Sequence, residues 1–91
     1  MANTAKHIIF TGRVQGVGFR FTAHRLAAQH QLTGWVRNLP DGAVEMFAQG
    51  PEHDIDACIA DIQQSFSGYV TQTNIQQTAP NPRFSNFRIT F

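Results

Sequence analysis

The sequence has little of several features that define large classes of protein. Cys58 is the only cysteine in 91 residues, which excludes an intramolecular disulfide and argues against a cysteine-based zinc site. No apolar run is long enough to span a membrane, and the polar residues 1–7 do not resemble a signal peptide. We therefore expect a cytoplasmic protein without a membrane partner.

Charge of one sign is also scarce. Seven Lys and Arg nearly balance six Asp and Glu, which leaves a formal net charge of +1 with His neutral. Nucleic-acid binding domains usually carry a clear basic excess. The spacing of the four histidines, His7, His24, His30 and His53, is not that of a metal site. The sequence thus predicts no nucleic-acid partner, no metal and no other cofactor.

The chain contains enough apolar residues to form one hydrophobic core. Hydrophobic residues make up 42% of the chain, and eight of them are Phe. A chain of this length should bury roughly 60–65% of its unfolded surface on folding. We therefore expect residues 1–91 to form a single domain without disordered tracts, and no feature requires more than a monomer.

The spacing of apolar residues predicts the order of the secondary-structure elements. Five strands are predicted. Alternation indicates strands over 6–14, 43–49 and 87–91, and β-branched and aromatic content indicates strands over 35–39 and 69–78. Helical spacing predicts one helix over 20–31, whose end Gly34 would mark, and a second with Pro51 as its first residue. The order βαββαβ plus a short C-terminal strand is typical of the ferredoxin-like α+β sandwich. Two helices should then pack on one face of a mostly antiparallel sheet.

A glycine-rich segment, GRVQGVGFR at 12–20, joins the first strand to the first helix. Gly16 and Gly18 allow a sharp turn whose N–H groups point inward. Because the segment leads into a helix N-terminus, it favours an anion. Arg20 can reach the same concavity with a planar guanidinium that matches two phosphate oxygens. Taken alone, these residues are compatible with an anion site or with an ordinary turn followed by a solvated arginine.

This segment and the later GWVRN at 34–38 together resemble the two signature motifs of the acylphosphatase family. Other phosphate motifs do not fit, since the segment has neither the Gly-Lys-Ser/Thr of a P-loop nor the third glycine of a dinucleotide fingerprint. The resemblance extends to the Pro-Asp-Gly turn at 40–42 and to the final Phe-x-Ile-x-Phe strand. It is weakest over residues 60–83, so it does not define the boundaries of the fourth strand.

The resemblance implies an enzyme that splits the carboxyl-phosphate bond of acyl phosphates without a metal. The products would be a carboxylate and inorganic phosphate, and phosphate would also inhibit. Arg20 would hold the phosphoryl group, and Asn38, otherwise only a polar residue before a turn, would position the attacking water. The remaining phosphate ligands implied are backbone amides of Gln15, Gly16, Val17, Gly18 and Phe19. Because the leaving group is a carboxylate, no strong general acid is required.

Two other functions remain open at this point. RNA-recognition modules share the predicted architecture, but their aromatic motif lies on the third strand, whereas GFRF at 18–21 precedes the first helix. Acylphosphatase-like domains also occur at the start of a larger hydrogenase-maturation carbamoyltransferase. A phosphate-binding or carbamoyl phosphate-binding module without catalysis is therefore the closer alternative. The sequence does not specify the physiological acyl phosphate.

Overall fold

The computed structural model describes residues 3–91 and contains seven elements in chain order. They are β1 Thr4–Gly12, α1 Phe19–Gln29, β2 Thr33–Asn38, β3 Val44–Gly50, α2 Glu52–Ser65, β4 Val70–Thr78 and β5 Phe87–Ile89. The sheet order is β4-β1-β3-β2-β5. The first four of these strands pair antiparallel, and β5 adds parallel to β2 at the edge. This architecture confirms the predicted ferredoxin-like sandwich.

Both helices cover the same face of the sheet with one apolar stripe each. The buried stripe residues are Phe19, Ala23, Leu26 and Ala27 on α1 and Ile55, Cys58, Ile59 and Ile62 on α2. They pack against buried side chains of the three central strands, β1, β3 and β2. These side chains are Ile8, Phe10, Val36, Val44, Met46 and Ala48. Burying each larger aliphatic or aromatic side chain contributes about 1.5–3 kcal/mol. Burial also raises the pKa of the Cys58 thiol to about 12, so this cysteine is an unreactive core residue.

No helix of residues 3–91 covers the other face of the sheet, and a loop covers part of it. Trp35 and Phe47 stack there with ring centroids 6.2 Å apart, and Phe84 of the β4–β5 loop packs on Phe47 at 5.4 Å. Gln49 donates to the Asn81 carbonyl at 2.8 Å and accepts from the Asn81 N–H at 2.7 Å. These contacts attach the loop to the sheet. Within residues 3–91, no helix is long and apolar enough to cross a membrane.

The first predicted strand and helix are both too long at their C-terminal ends. The strand ends at Gly12, where the register against β4 shifts after Thr11. Val14 is buried in the loop that follows, so its apolar character reflects core packing and not strand alternation. The helix ends at Gln29, and Gln31 adopts a φ of 58°, which an α-helix does not allow.

Three other predicted boundaries also need correction. Gly34 lies inside β2, which runs over 33–38 instead of 35–39. Its φ is 138°, and a Cβ there would collide with the Phe47 carbonyl of β3, so glycine permits the close approach of two strands and does not mark a helix end. Pro51 is the N-cap residue of α2 and not its first helical residue. The final strand ends at Ile89.

Candidate active site

A pocket opens where the β1–α1 loop, the start of α1 and the end of β2 meet. Its volume is about 250 Å³, below the roughly 300–1,000 Å³ of sites for drug-sized ligands. It is lined by Val14, Gly16, Gly18, Phe19, Arg20, Phe21, Asn38, Ile89 and Phe91. Arg20 is the only charged residue among these lining residues. The pocket therefore suits a small anion.

The β1–α1 loop turns at two glycines with left-handed backbone conformation. Gly16 has φ 76° and Gly18 has φ 79°, a region that side chains other than glycine enter at an energetic cost. A Cβ at either position would meet no other atom within 4 Å. The backbone conformation, and not crowding by the protein, therefore requires glycine at these positions.

The N-terminus of α1 is left open toward this pocket. Its N-cap is Gly18, which provides no side-chain cap, and its first turn contains no acidic residue. Thr22 donates the first helical hydrogen bond, to the Gly18 carbonyl at 3.1 Å. Among residues 3–91, the N–H groups of the loop residues 15–18 have no hydrogen-bond acceptor. These free donors and the helix dipole make the site favourable for an anion.

Arg20 lies in the first turn of α1, and its side chain contacts the end of the chain after β5. Its Nη1 donates to the Thr90 carbonyl at 3.4 Å, and its guanidinium lies over the Phe91 ring at 4.9 Å. The hydrogen bond is long and therefore weak. Since a guanidinium has five N–H donors, most of them remain available for an anion in the pocket.

Asn38 reaches the same pocket from a different element. It is the last residue of β2, pairs with Val44 of β3, and is half-buried. Within the part of the chain that the structure describes, its side-chain amide has no hydrogen-bond partner. The fold thus brings together Arg20, Asn38 and the loop, which lie up to 23 positions apart in the sequence.

A contact that the sequence did not predict attaches the loop to the β2–β3 hairpin. Only the backbone amide of Gln15 was predicted to act, but its side chain donates to the Leu39 carbonyl at 2.7 Å and to the Ala43 carbonyl at 2.9 Å. The hairpin begins directly after Asn38. Gln15 therefore fixes the β1–α1 loop relative to Asn38, and no local sequence signal could have indicated its distant partners.

A second polar cluster lies on the helix-free face of the sheet, away from the pocket. His7 Nε2 is 2.6 Å from Glu45 Oε2, and Arg37 Nε donates to Glu45 Oε1 at 2.6 Å. Burial raises the pKa of the Glu45 carboxyl, but the hydrogen bonds from His7 and Arg37 lower it by more, so the pKa is below its ordinary value. Arg37 is therefore paired with a carboxylate. Within residues 3–91, no group of three or more His, Cys, Asp or Glu residues could hold a metal ion.

Comparison with known proteins gives the same family that the motifs indicated. A family model described as Acylphosphatase matches residues 6–89. The chain belongs to the acylphosphatase family. An acylphosphatase of Geobacillus thermodenitrificans is 42% identical over 86 residues, which cover 93% of this chain and 92% of that one. The family assignment confirms the predicted enzyme class, a hydrolase of acyl phosphates.

Solved structures of the family agree in fold along nearly the whole chain. The crystal structure of acylphosphatase from Bacillus subtilis is 34% identical with a TM-score of 0.89, covering 97% of this chain and 99% of that one. T. kodakarensis HypF, at 32% identity and a TM-score of 0.83, is also similar, but the match covers only 12% of that longer chain. The similarity thus extends both to free-standing acylphosphatases and to one part of a larger protein.

Proposed function

We propose that this enzyme hydrolyses acyl phosphates without a metal, with Arg20 and the β1–α1 loop as phosphate ligands and Asn38 as the residue that positions water. The observation that carries the proposal is the meeting of Arg20, the open N-terminus of α1 and Asn38 in one small pocket. The pocket can enclose a phosphoryl group while the acyl group extends toward solvent.

Arg20 and the loop provide the electrostatic part of the mechanism. The guanidinium donates two parallel hydrogen bonds to phosphoryl oxygens, and the N–H groups of residues 15–19 surround the remaining oxygens. These donors are held in place by the fold before the substrate binds, so they stabilise the developing charge with little reorganisation. In a loose transition state, this positioning and charge stabilisation is most of what catalysis requires.

Asn38 provides the position of the nucleophile. Its amide can accept a hydrogen bond from water and donate another, which places the water in line with the leaving carboxylate. The oxygen of the water bonds to phosphorus while the phosphorus–oxygen bond to the acyl group breaks, and the electron pair leaves on the carboxylate. The proton of the water passes to a phosphoryl oxygen, so no protein base is needed.

Hydrolysis in the presence of a chelator tests this function. Release of phosphate from a synthetic acyl phosphate should be unchanged by EDTA, after subtraction of spontaneous hydrolysis. Activity that is lost with EDTA and restored by Mg²⁺ or Zn²⁺ would contradict the metal-free mechanism. Phosphate binding without turnover would instead support the alternative of a non-catalytic binding module.

We also propose an oligomeric state, a location and an inhibitor for this enzyme. Residues 1–91 act as a single domain and a monomer in the cytoplasm, and inorganic phosphate inhibits because product and substrate share the loop. The single, buried Cys58 is compatible with a reducing compartment. Light scattering after gel filtration tests the monomer, and purely noncompetitive inhibition by phosphate would contradict the shared site.

A further inference from the structure

Two phenylalanines at the pocket mouth are unusually exposed for large apolar side chains. Among the residues that the structure describes, four such side chains are exposed, which are Phe21, Tyr69, Ile75 and Phe91. Single exposed apolar residues are common and need no explanation. Phe21 at 68% and Phe91 at 97% exposure, however, both line the pocket that contains Arg20 and Asn38.

The other two exposed side chains are outside the pocket. Tyr69 packs against Phe66 and lies under the Arg13 guanidinium, so contacts within the protein account for its position. Ile75 lies on β4, at the sheet edge opposite to β5. Half of the exposed large apolar side chains therefore gather at one opening, together with the half-buried Ile89.

We infer that Phe21 and Phe91 form an apolar rim that selects acyl phosphates with an aromatic or other large apolar acyl group. This inference rests on the proposed function. The phosphoryl group occupies the inner end of the pocket, beside the loop amides and Arg20, so the acyl group has to leave through the mouth. There it meets aromatic rings and, among the lining residues described, no charged side chain other than Arg20.

Phe21 is better suited than Phe91 to test the rim. The guanidinium of Arg20 lies over the Phe91 ring, so replacing Phe91 would also change the support of a phosphate ligand. Phe21 is two-thirds exposed and occupies the first turn of α1, where alanine favours the helix. Phe21→Ala should therefore fold, and Phe21→Leu retains part of the apolar surface.

The test compares benzoyl phosphate with acetyl phosphate. The ratio of their kcat/KM values should exceed one in the wild type and fall about 3- to 10-fold in Phe21→Ala, as expected for the loss of one aromatic contact. Phe21→Leu should give an intermediate ratio. Ile75→Ala, which removes an exposed apolar side chain far from the pocket, should leave the ratio unchanged. An unchanged ratio in Phe21→Ala would overturn the inference.

A binding measurement separates the rim from catalysis. Phenacylphosphonate and acetonylphosphonate replace the bridging oxygen by a methylene group and are not hydrolysed, so calorimetry gives their Kd values without turnover. Phenacylphosphonate should bind more tightly, and Phe21→Ala should remove about 3- to 10-fold of that preference. If the wild type prefers phenacylphosphonate but hydrolyses neither acyl phosphate, the proposed function is wrong, while the inference about the rim is supported. Equal Kd values in the wild type would contradict the rim alone.

Discussion

The two helices of this protein begin in opposite ways. The first turn of α2 contains Glu52 and Asp54, whose negative charge suits the helix dipole, and Lys6 of β1 pairs with Glu52 at 3.2 Å. The first turn of α1 has no acidic residue and no side-chain cap, and it carries Arg20 instead. Both helices pack on the same sheet and bury a similar stripe. Neither helix has a side-chain cap hydrogen bond, so the difference lies in charge. The first turn of α2 is acidic, whereas that of α1 carries a cation and is, in our proposal, the place where the phosphoryl group binds.

The largest expected effect comes from replacing Arg20, the proposed phosphate ligand in the first turn of α1. Arg20→Lys keeps the charge but cannot make two parallel hydrogen bonds from a fixed fork. Losing one preorganised donor commonly lowers kcat by about 10²–10³, and we expect at least that loss in kcat/KM for acetyl phosphate. Arg25→Lys, an exposed site on the same helix, is the matched control. Near-normal activity of a folded Arg20→Lys protein would remove Arg20 from the mechanism.

A second substitution tests whether Arg20 and the N-terminus of α1 bind phosphate without the Asn38 side chain of β2. Asn38→Ala should lower turnover by about 10²-fold, the cost of losing a positioned reactant, while the Kd for inorganic phosphate stays within about twofold. Calorimetry with phosphate and an acyl phosphate assay measure the two quantities, and circular dichroism checks folding. A parallel loss of phosphate binding and activity would make Asn38 an anion ligand or a structural residue.

A third substitution gives α1 an acidic first turn like that of α2. Phe21→Glu places a carboxylate in the first turn of α1, where it competes with phosphate for the dipole and repels the anion. We expect phosphate affinity to fall at least about 5-fold relative to Phe21→Gln, because like charges about 4 Å apart repel by about 1 kcal/mol in water and by about 4 kcal/mol near a protein surface. The glutamine variant loses the same ring and differs only in charge. Equal affinities of the two variants would show that the α1 end is not the anion site.

Loosening the loop in front of α1 should have a smaller effect. Gln15→Ala removes two hydrogen bonds to carbonyls of the β2–β3 hairpin. Both carbonyls keep a backbone donor, so the free energy of unfolding should fall by about 0.5–1.5 kcal/mol for each lost hydrogen bond. We expect kcat to fall about 10-fold, because the loop is no longer fixed relative to Asn38. Urea unfolding and steady-state kinetics measure both effects. Gln63→Ala, which removes an exposed side-chain hydrogen bond on α2, should alter neither quantity by as much.

The smallest effect is expected at the α2 end. Glu52→Gln removes one favourable charge from the helix dipole and one partner of Lys6, which should lower the free energy of unfolding by about 0.3–1 kcal/mol. Activity should not change, because this end is remote from the pocket. Urea unfolding at low and high salt provides the measurement, since the loss should shrink as salt screens the charges. A loss of activity as large as that of Gln15→Ala would contradict the division between the two helix ends.

Several parts of the fold could be predicted because they depend on local periodicity. The stripes on both helices, the Pro-Asp-Gly turn and the order of elements all follow from spacing within a few residues, and the structure confirms them. Val14 was misassigned because a buried loop residue and a strand residue have the same apolar character. Gly34 was misassigned because its role is set by the Phe47 carbonyl of a neighbouring strand, which no local window contains.

By itself, the sequence determined the family, the fold class and the candidate residues Arg20 and Asn38, since these depend on residue types at fixed spacing. The tertiary structure alone decided which groups meet. It placed the Asn38 amide in the same pocket as the open end of α1, attached the loop to the hairpin through Gln15, and brought two exposed phenylalanines to one opening. The physical reason is that these contacts join residues from different elements, whose distances are set by the packing of both helices on the sheet and not by the order of residues along the chain.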